Sequence, residues 1–171
     1  MTSNVLTIER PEQLKALGHP LRLRVLEALA DKGEELTNRE LAERLGVDPG
    51  HLHFHVKMLL SAGLIELAER NGGREKPYRA VASHVRVAPE LIATGAANDA
   101  RAAMLDEVQR GWTAYAGEGR FRAAQITASV TEEDVRELVQ MLAKEVEARE
   151  TSEAGTLVIT LFSHPRAAGE S

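Results

Sequence analysis

Residues 36–64 read LTNRELAERLGVDPGHLHFHVKMLLSAGL, and this stretch describes two short amphipathic helices joined by a tight connection. Thr37 followed three residues later by Glu40 is a capping box. The hydroxyl accepts a first-turn amide, and the carboxylate reaches back to the cap amide. Leu41, Ala42 and Leu45 then share one face. Gly46 stops the helix, because glycine tolerates the left-handed conformation that a C-terminal stop requires. Asp48 and Pro49 open the second helix as N-cap and first helical residue. Ala62 and Gly63 close it.

Advancing about 100° per residue along the second helix places Leu52, Val56 and Leu59 together, with Leu60 at their edge. Gly50, His53, Phe54, Lys57 and Ser61 fall on the opposite side, which carries no acid. A Phe beside cationic and hydrogen-bonding groups suits a duplex. The ring presses a thymine methyl or a sugar while its neighbours meet base edges and phosphates. Helix, short turn and acid-free second helix make a helix-turn-helix, with the second helix expected in the major groove.

The totals permit this reading. A chain of 171 residues holds one or two domains with a real core. Its 43% hydrophobic and 27% charged residues are ordinary for a globular protein. No apolar run approaches the ~20 residues of a membrane span, and the N-terminus lacks the basic start and apolar core of a signal peptide. A cytoplasmic location is the expectation. With no cysteine, disulfides, thiolate metal sensing and cysteine catalysis are excluded. The net charge of −5 is uneven: residues 14–86 hold 12 Lys+Arg against 10 Asp+Glu, a balance of +2, so the remainder carries −7. Groove binding follows the local field, and the total does not oppose it.

Before the helix-turn-helix, residues 2–9 read as a short strand or arm. Pro11 and Pro20 each start a helix, and Leu21, Val25, Leu26 and Leu29 form a stripe from which Arg22 and Arg24 point away. After it, two apolar-rich segments flank Asn71-Gly72, a strong hairpin signal. The hairpin carries Arg70, Arg74, Lys76 and Arg79 and reads as a wing gripping phosphates or the adjacent minor groove. Pro89 marks a boundary. Residues 98–115 read as a helix with Met104, Val108 and Trp112 or Tyr115 on one side. Residues 121–130 alternate and read as a strand with one buried face. Thr131 with Asp134 caps a helix whose stripe is Val135, Leu138, Val139, Leu142 and Val146. Residues 151–155 read as a linker, 157–162 as an apolar strand and 167–171 as a disordered tail.

Four ordered segments, ALGHPLRLRVL at 16–26, LAERLGV at 41–47, HVKML at 55–59 and AGLI at 62–65, together with the basic hairpin, carry a resemblance. Residues 14–87 resemble the winged helix-turn-helix of ArsR-type (arsenic-repressor) transcription regulators. The resemblance implies a homodimer that binds a palindromic operator and usually represses. It implies that Gly50, His51, His53 and Phe54 read DNA and that His55 is structural. The family's Cys-x-Cys metal pair is missing here, and no histidine lies between His84 and His164, so its metal-sensing sets do not transfer. The longer C-terminal half looks like the helix-strand-helix-strand extension of larger members.

His51 and His55 share a flank, but His53 points about 160° away, so one ion cannot take all three. No metal site and no cofactor is expected. No nucleophile elbow, P-loop or paired-His zinc signature occurs, so the chain does not read as an enzyme. The expected architecture is α+β: a mainly α winged helix-turn-helix domain over 10–88, then a helix-strand-helix-strand region over 89–165 for dimerisation. Expected DNA contacts are Asn38, Arg39, Gly50, His51, His53, Phe54, Lys57, Arg74 and Lys76. Met104, Trp112 and Tyr115 are either dimer core or the lining of a pocket for an unidentified small-molecule effector. The competing class is a winged helix that binds a protein or small ligand and has no operator.

Overall fold

The computed structural model of the chain describes residues 5–69, 75–95, 97–149, 151 and 157–165. In order, its elements are β1 (Val5–Ile8), α1 (Pro11–Leu17), α2 (Pro20–Ala30), α3 (Asn38–Leu45), α4 (Pro49–Ser61), β2 (Ile65–Leu67), β3 (Tyr78–Ala80), β4 (His84–Val87), α5 (Pro89–Ile92), α6 (Ala97–Tyr115) and α7 (Glu132–Glu147). The fold is a helix-rich winged helix-turn-helix with a small β-hairpin. The expected linker at 152–155, the tail and the tip of the wing, with Arg70, the Asn71-Gly72 turn and Arg74, lie outside the described residues.

Local chemistry sets the boundaries of α3 and α4. Thr37 Oγ1 accepts from the Glu40 amide at 3.2 Å, and the Glu40 carboxylate accepts from the Thr37 amide at 2.8 Å. Gly46, at φ 65°, ends α3 in the left-handed region. Asp48 Oδ1 accepts from the His51 amide at 2.8 Å, and Pro49 begins α4.

Leu41 of α3 and Leu52, Val56 and Leu59 of α4 are fully buried with Leu14, Leu17, Val25 and Leu29. Burying each such side chain stabilises the fold by about 1.5–3 kcal/mol. The wing pairs Ile65 with Ala80, Glu66 with Arg79 and Leu67 with Tyr78, antiparallel. Leu36, just before α3, exchanges two backbone hydrogen bonds with Tyr78, at 3.0 and 2.8 Å. The hairpin is thereby tied to the entry of the helix-turn-helix. The expected N-terminal strand is present as β1, and it pairs in parallel with β4, Val5 to His84 through Ile8 to Val87.

The N-terminal core reaches past residue 88 to take in Leu91 and Ala100. Helix α6 buries Ala100 and Ala103 and packs against α1 and α2. Its larger residues Leu105, Trp112 and Tyr115 are exposed. The small side chains permit a close approach, and Gly18 shows how close: a Cβ there would stand 2.7 Å from Asp99 Cβ.

Two sequence expectations are corrected. Residues 121–130 and 157–162 belong to no helix or strand; Ile126 is 87% exposed and Leu157 is also out in solvent. Alternation of apolar residues describes a strand that has a neighbour. A ladder needs a second row of amides and carbonyls. The sheets among the described residues, β1–β4 and β2–β3, include neither segment. Among the described residues the region after α5 is therefore two helices with segments of no regular structure.

Replacing Gly18 with alanine should force α6 away from the end of α1. The expected cost is about 1–3 kcal/mol, as for other overpacked sites. Urea unfolding of Gly18→Ala beside the parent measures it; an unchanged midpoint would mean that α6 does not press on α1.

Candidate nucleic-acid interface

With Leu52, Val56 and Leu59 held in the core, the other side of α4 faces out. Gly50, His51, His53, Phe54, Lys57 and Ser61 are all exposed, Phe54 at 71%. No acid occurs on α4 from Pro49 to Ser61. The His53 and Phe54 rings lie 6.3 Å apart, edge to face. Gly50 leaves bare backbone at the first turn of the helix, where a duplex would come closest.

The supporting residues divide. Arg39 at the start of α3 is exposed, as is Lys76 on the approach to β3. Asn38 is engaged within the protein: its amide donates to the Pro49 carbonyl at 2.9 Å and so ties the start of α3 to the start of α4. Its Oδ1 is buried with no hydrogen-bond partner among the described residues. Arg79 of the wing pairs with Glu66 at 2.7 Å and reaches Glu35 at 4.0 Å. Lys76 and Arg79 are both exposed at the hairpin, with Arg79 held by its acidic partners.

Behind the exposed side lies a polar knot that sequence reasoning placed only in part. Arg22 does not point away from the core stripe; it is buried. Its guanidinium donates to the Ala16 carbonyl and, at 3.0 Å, to the Lys15 carbonyl, the last turn of α1. Nη1 faces His55 Nδ1 at 3.4 Å and Met58 Sδ at 3.6 Å, both on α4. Last-turn carbonyls have no partner within their own helix, and a forked donor meets two at once. The sequence carried a signal for this: a second arginine close behind a helix start, inside an apolar run, beside His19-Pro20.

His55 is buried, as expected for a structural histidine. Its ring lies 4.4 Å from that of His19 and 5.0 Å from that of His51. His19 Nδ1 caps α2 by accepting from the Leu21 amide at 3.1 Å. Burial first, then His19, Arg22 and His51, push His55 down to about 4. Burial, Arg22 and His51 likewise lower His19. Both rings are therefore neutral acceptors at neutral pH. His53 lies on the far side of the helix from this cluster. Among the described residues no group of three or more His, Asp or Glu is placed to hold a metal ion.

Trp112 and Tyr115 lie on the open side of α6, Trp112 against the Phe121 ring at 5.3 Å and Tyr115 beneath the Arg120 guanidinium at 5.0 Å. Met104 is half-buried. A cleft of about 310 Å³ lies elsewhere, between α2, α3 and α6, where Arg24, Arg44 and Arg110 face Glu27, Asp31 and Glu107. None of Met104, Trp112 and Tyr115 lines it.

Comparison with known proteins bears on the first of these regions. The family described as "Helix-turn-helix domain" matches residues 17–68, from the end of α1 to the end of β2. The match agrees with the helix-turn-helix read from the sequence. Among curated proteins none matches the chain. Among solved structures, the homodimeric winged helix-turn-helix DNA-binding domain Mb0332 of Mycobacterium bovis, a possible ArsR-family transcriptional regulator, is 21% identical. That match covers 67% of this chain and 85% of the other, with a TM-score of 0.37. The transcriptional repressor BigR of Xylella fastidiosa is 22% identical over 65% and 86%, with a TM-score of 0.35. Rv0081 of M. tuberculosis is 25% identical over 64% and 89%, with a TM-score of 0.36. In this chain the helix-turn-helix domain carries its wing directly after the second helix. No helix among the described residues is long and apolar enough to cross a membrane.

The neutral His55 predicts a pH dependence of stability. Its folded pKa of about 4 lies below the usual 6.5, so between those values the unfolded chain binds more protons than the folded one. Stability is then fully present above pH 6.5 and is lost as pH falls toward 4, by on the order of 2 kcal/mol. Lowered His19 acts in the same direction. Urea unfolding at pH 7 and pH 5 should show the loss, and His55→Gln should flatten it. An equal loss in the variant would assign the effect to other groups.

Proposed function

We propose that the chain is a transcription regulator that binds double-stranded DNA as a homodimer on a palindromic operator and represses. Helix α4 enters the major groove, Gly50, His51, His53 and Phe54 read base edges, and Arg39, Lys57, Lys76 and Arg74 hold phosphates. Asn38 serves the same contact by fixing the α3–α4 turn. The observation that carries this reading is the outward, acid-free side of α4, with a large aromatic ring left in water. An exposed Phe next to His and Lys has no use in the fold, whereas a duplex offers it a thymine methyl or a sugar. The helix-turn-helix match supports the same reading. A two-fold protein dimer would place its two recognition helices about one helical turn of DNA apart, hence the palindrome.

An unidentified small-molecule effector fits a regulator with a C-terminal half of this size, but no side chain selects one. Regulation rather than turnover is the reading.

A salt titration tests the proposal. Binding to random duplex should weaken steeply and linearly on a log–log scale, because phosphate contacts release counterions. A flat response would favour a module that binds protein or small ligands. Lys76→Ala should weaken binding to all sequences alike and reduce the salt slope by about one. Phe54→Ala should instead reduce discrimination between operator and mutated sites, by about 1–3 kcal/mol at the contacted pair.

A further inference from the structure

Helix α7 is the best-marked helix of the C-terminal half and the least used. Thr131 Oγ1 accepts from the Asp134 amide at 3.1 Å, and the Asp134 carboxylate accepts from the Thr131 amide at 2.8 Å. The 16-residue helix that follows is about 24 Å long. None of its residues is buried. Leu138 and Met141 are 53% and 58% exposed, and Val139 and Leu142 are exposed beside them. Among the described residues no helix or strand packs closely along its length; His84 of β4 stands 3.9 Å from Glu147 at its end, and Val135 and Val146 are half-buried. A helix of this length is marginal in water alone, since helices in proteins owe most of their stability to a packed apolar face.

The pattern on α7 says what covers it. Val135, Val139, Leu142 and Val146 are spaced four, three and four apart, the seam of a two-stranded coiled coil, and lie within about 60° of one another. The seam is nearly symmetric about its midpoint, between Gln140 and Met141. Running two copies antiparallel across that point sets Val135 against Val146 and Val139 against Leu142. The next seam positions outward are Glu132 and Arg149, which then meet as opposite charges at both ends. A parallel pair would set Glu132 on Glu132 and stack the acidic first turns, Glu132, Glu133 and Asp134, on each other. The like pair Asp134–Glu147 is the one adverse match at this level, and Asp134 is already held by Thr131.

We infer that α7 is a subunit interface, occupied by α7 of a second copy in antiparallel register about a two-fold axis between Gln140 and Met141. This rests on the homodimer reading above and assigns it a surface. Such an axis is self-complementary, as closed two-fold dimers require. It couples the two helix-turn-helix domains through their C-terminal halves.

The chain contains no cysteine, so introduced thiols are the only ones present. Val135→Cys and Val146→Cys chains, given different tags and co-expressed, should form a disulfide-linked mixed dimer on mild oxidation, since facing seam residues suit disulfide geometry. Either variant alone should cross-link several-fold less. Sedimentation of the full-length parent at micromolar concentration should give a dimer. A parent that sediments as a monomer would overturn both the homodimer and this interface. A dimer whose Val135→Cys chains cross-link among themselves, or whose mixed pair does not cross-link while both thiols react with a labelling reagent, would overturn this interface and leave the homodimer standing.

Discussion

The arrangement of the N-terminal half depends on one buried cation. Arg22 enters the junction of α1, α2 and α4, where an unsatisfied guanidinium would cost several kcal/mol. It is satisfied by the last-turn carbonyls Lys15 and Ala16 of α1, and on α4 it meets His55 and Met58. These contacts set the rotation of α4 about its own axis relative to α1. The apolar contacts of Leu52, Val56 and Leu59 are non-directional and would tolerate some roll of the helix. A forked donor meeting fixed acceptors is less tolerant. The side of α4 that carries Gly50, His53, Phe54 and Lys57 is held outward by a polar lock on the opposite side.

That lock works only while His55 is an acceptor. Its burial, with His19, His51 and Arg22 around it, disfavours a positive ring, and the neutral ring can face Arg22 Nη1. His51 belongs to both settings: its ring approaches His55 on one side and is exposed near the start of α4 on the other. The proposed reading surface and the packing knot therefore share a residue. The wing is positioned independently, by the two backbone hydrogen bonds between Leu36 and Tyr78, which fix the hairpin to the entry of α3.

The C-terminal half shows local order without tertiary closure. Helix α7 has a complete capping box and a regular stripe, both local properties, yet none of its residues is buried in the single chain. Segments 121–130 and 157–162 have strand-like patterns and no strand neighbour. Helix α6 behaves differently, because Ala100 and Ala103 are small enough to let it settle on α1 and α2 beside Gly18. Its aromatic residues, which the sequence offered as dimer core or pocket lining, lie at the surface of the single chain.

The sequence by itself determined the caps, stops and faces of α3, α4 and α7, and the existence of the hairpin; it left residues 2–9 open as a strand or an arm. Thr37–Glu40, Gly46, Asp48-Pro49 and Thr131–Asp134 act within one turn of chain, so their chemistry is complete in a few adjacent residues. The outward set on α4 was legible for the same reason, since period and polarity are local. Only the tertiary structure decided that Arg22 is buried, that Asn38 spends its amide on Pro49, that β1 pairs with β4, and that α6 packs through alanines. Each of those depends on a partner far away in sequence, and a residue's own identity does not say which partner arrives.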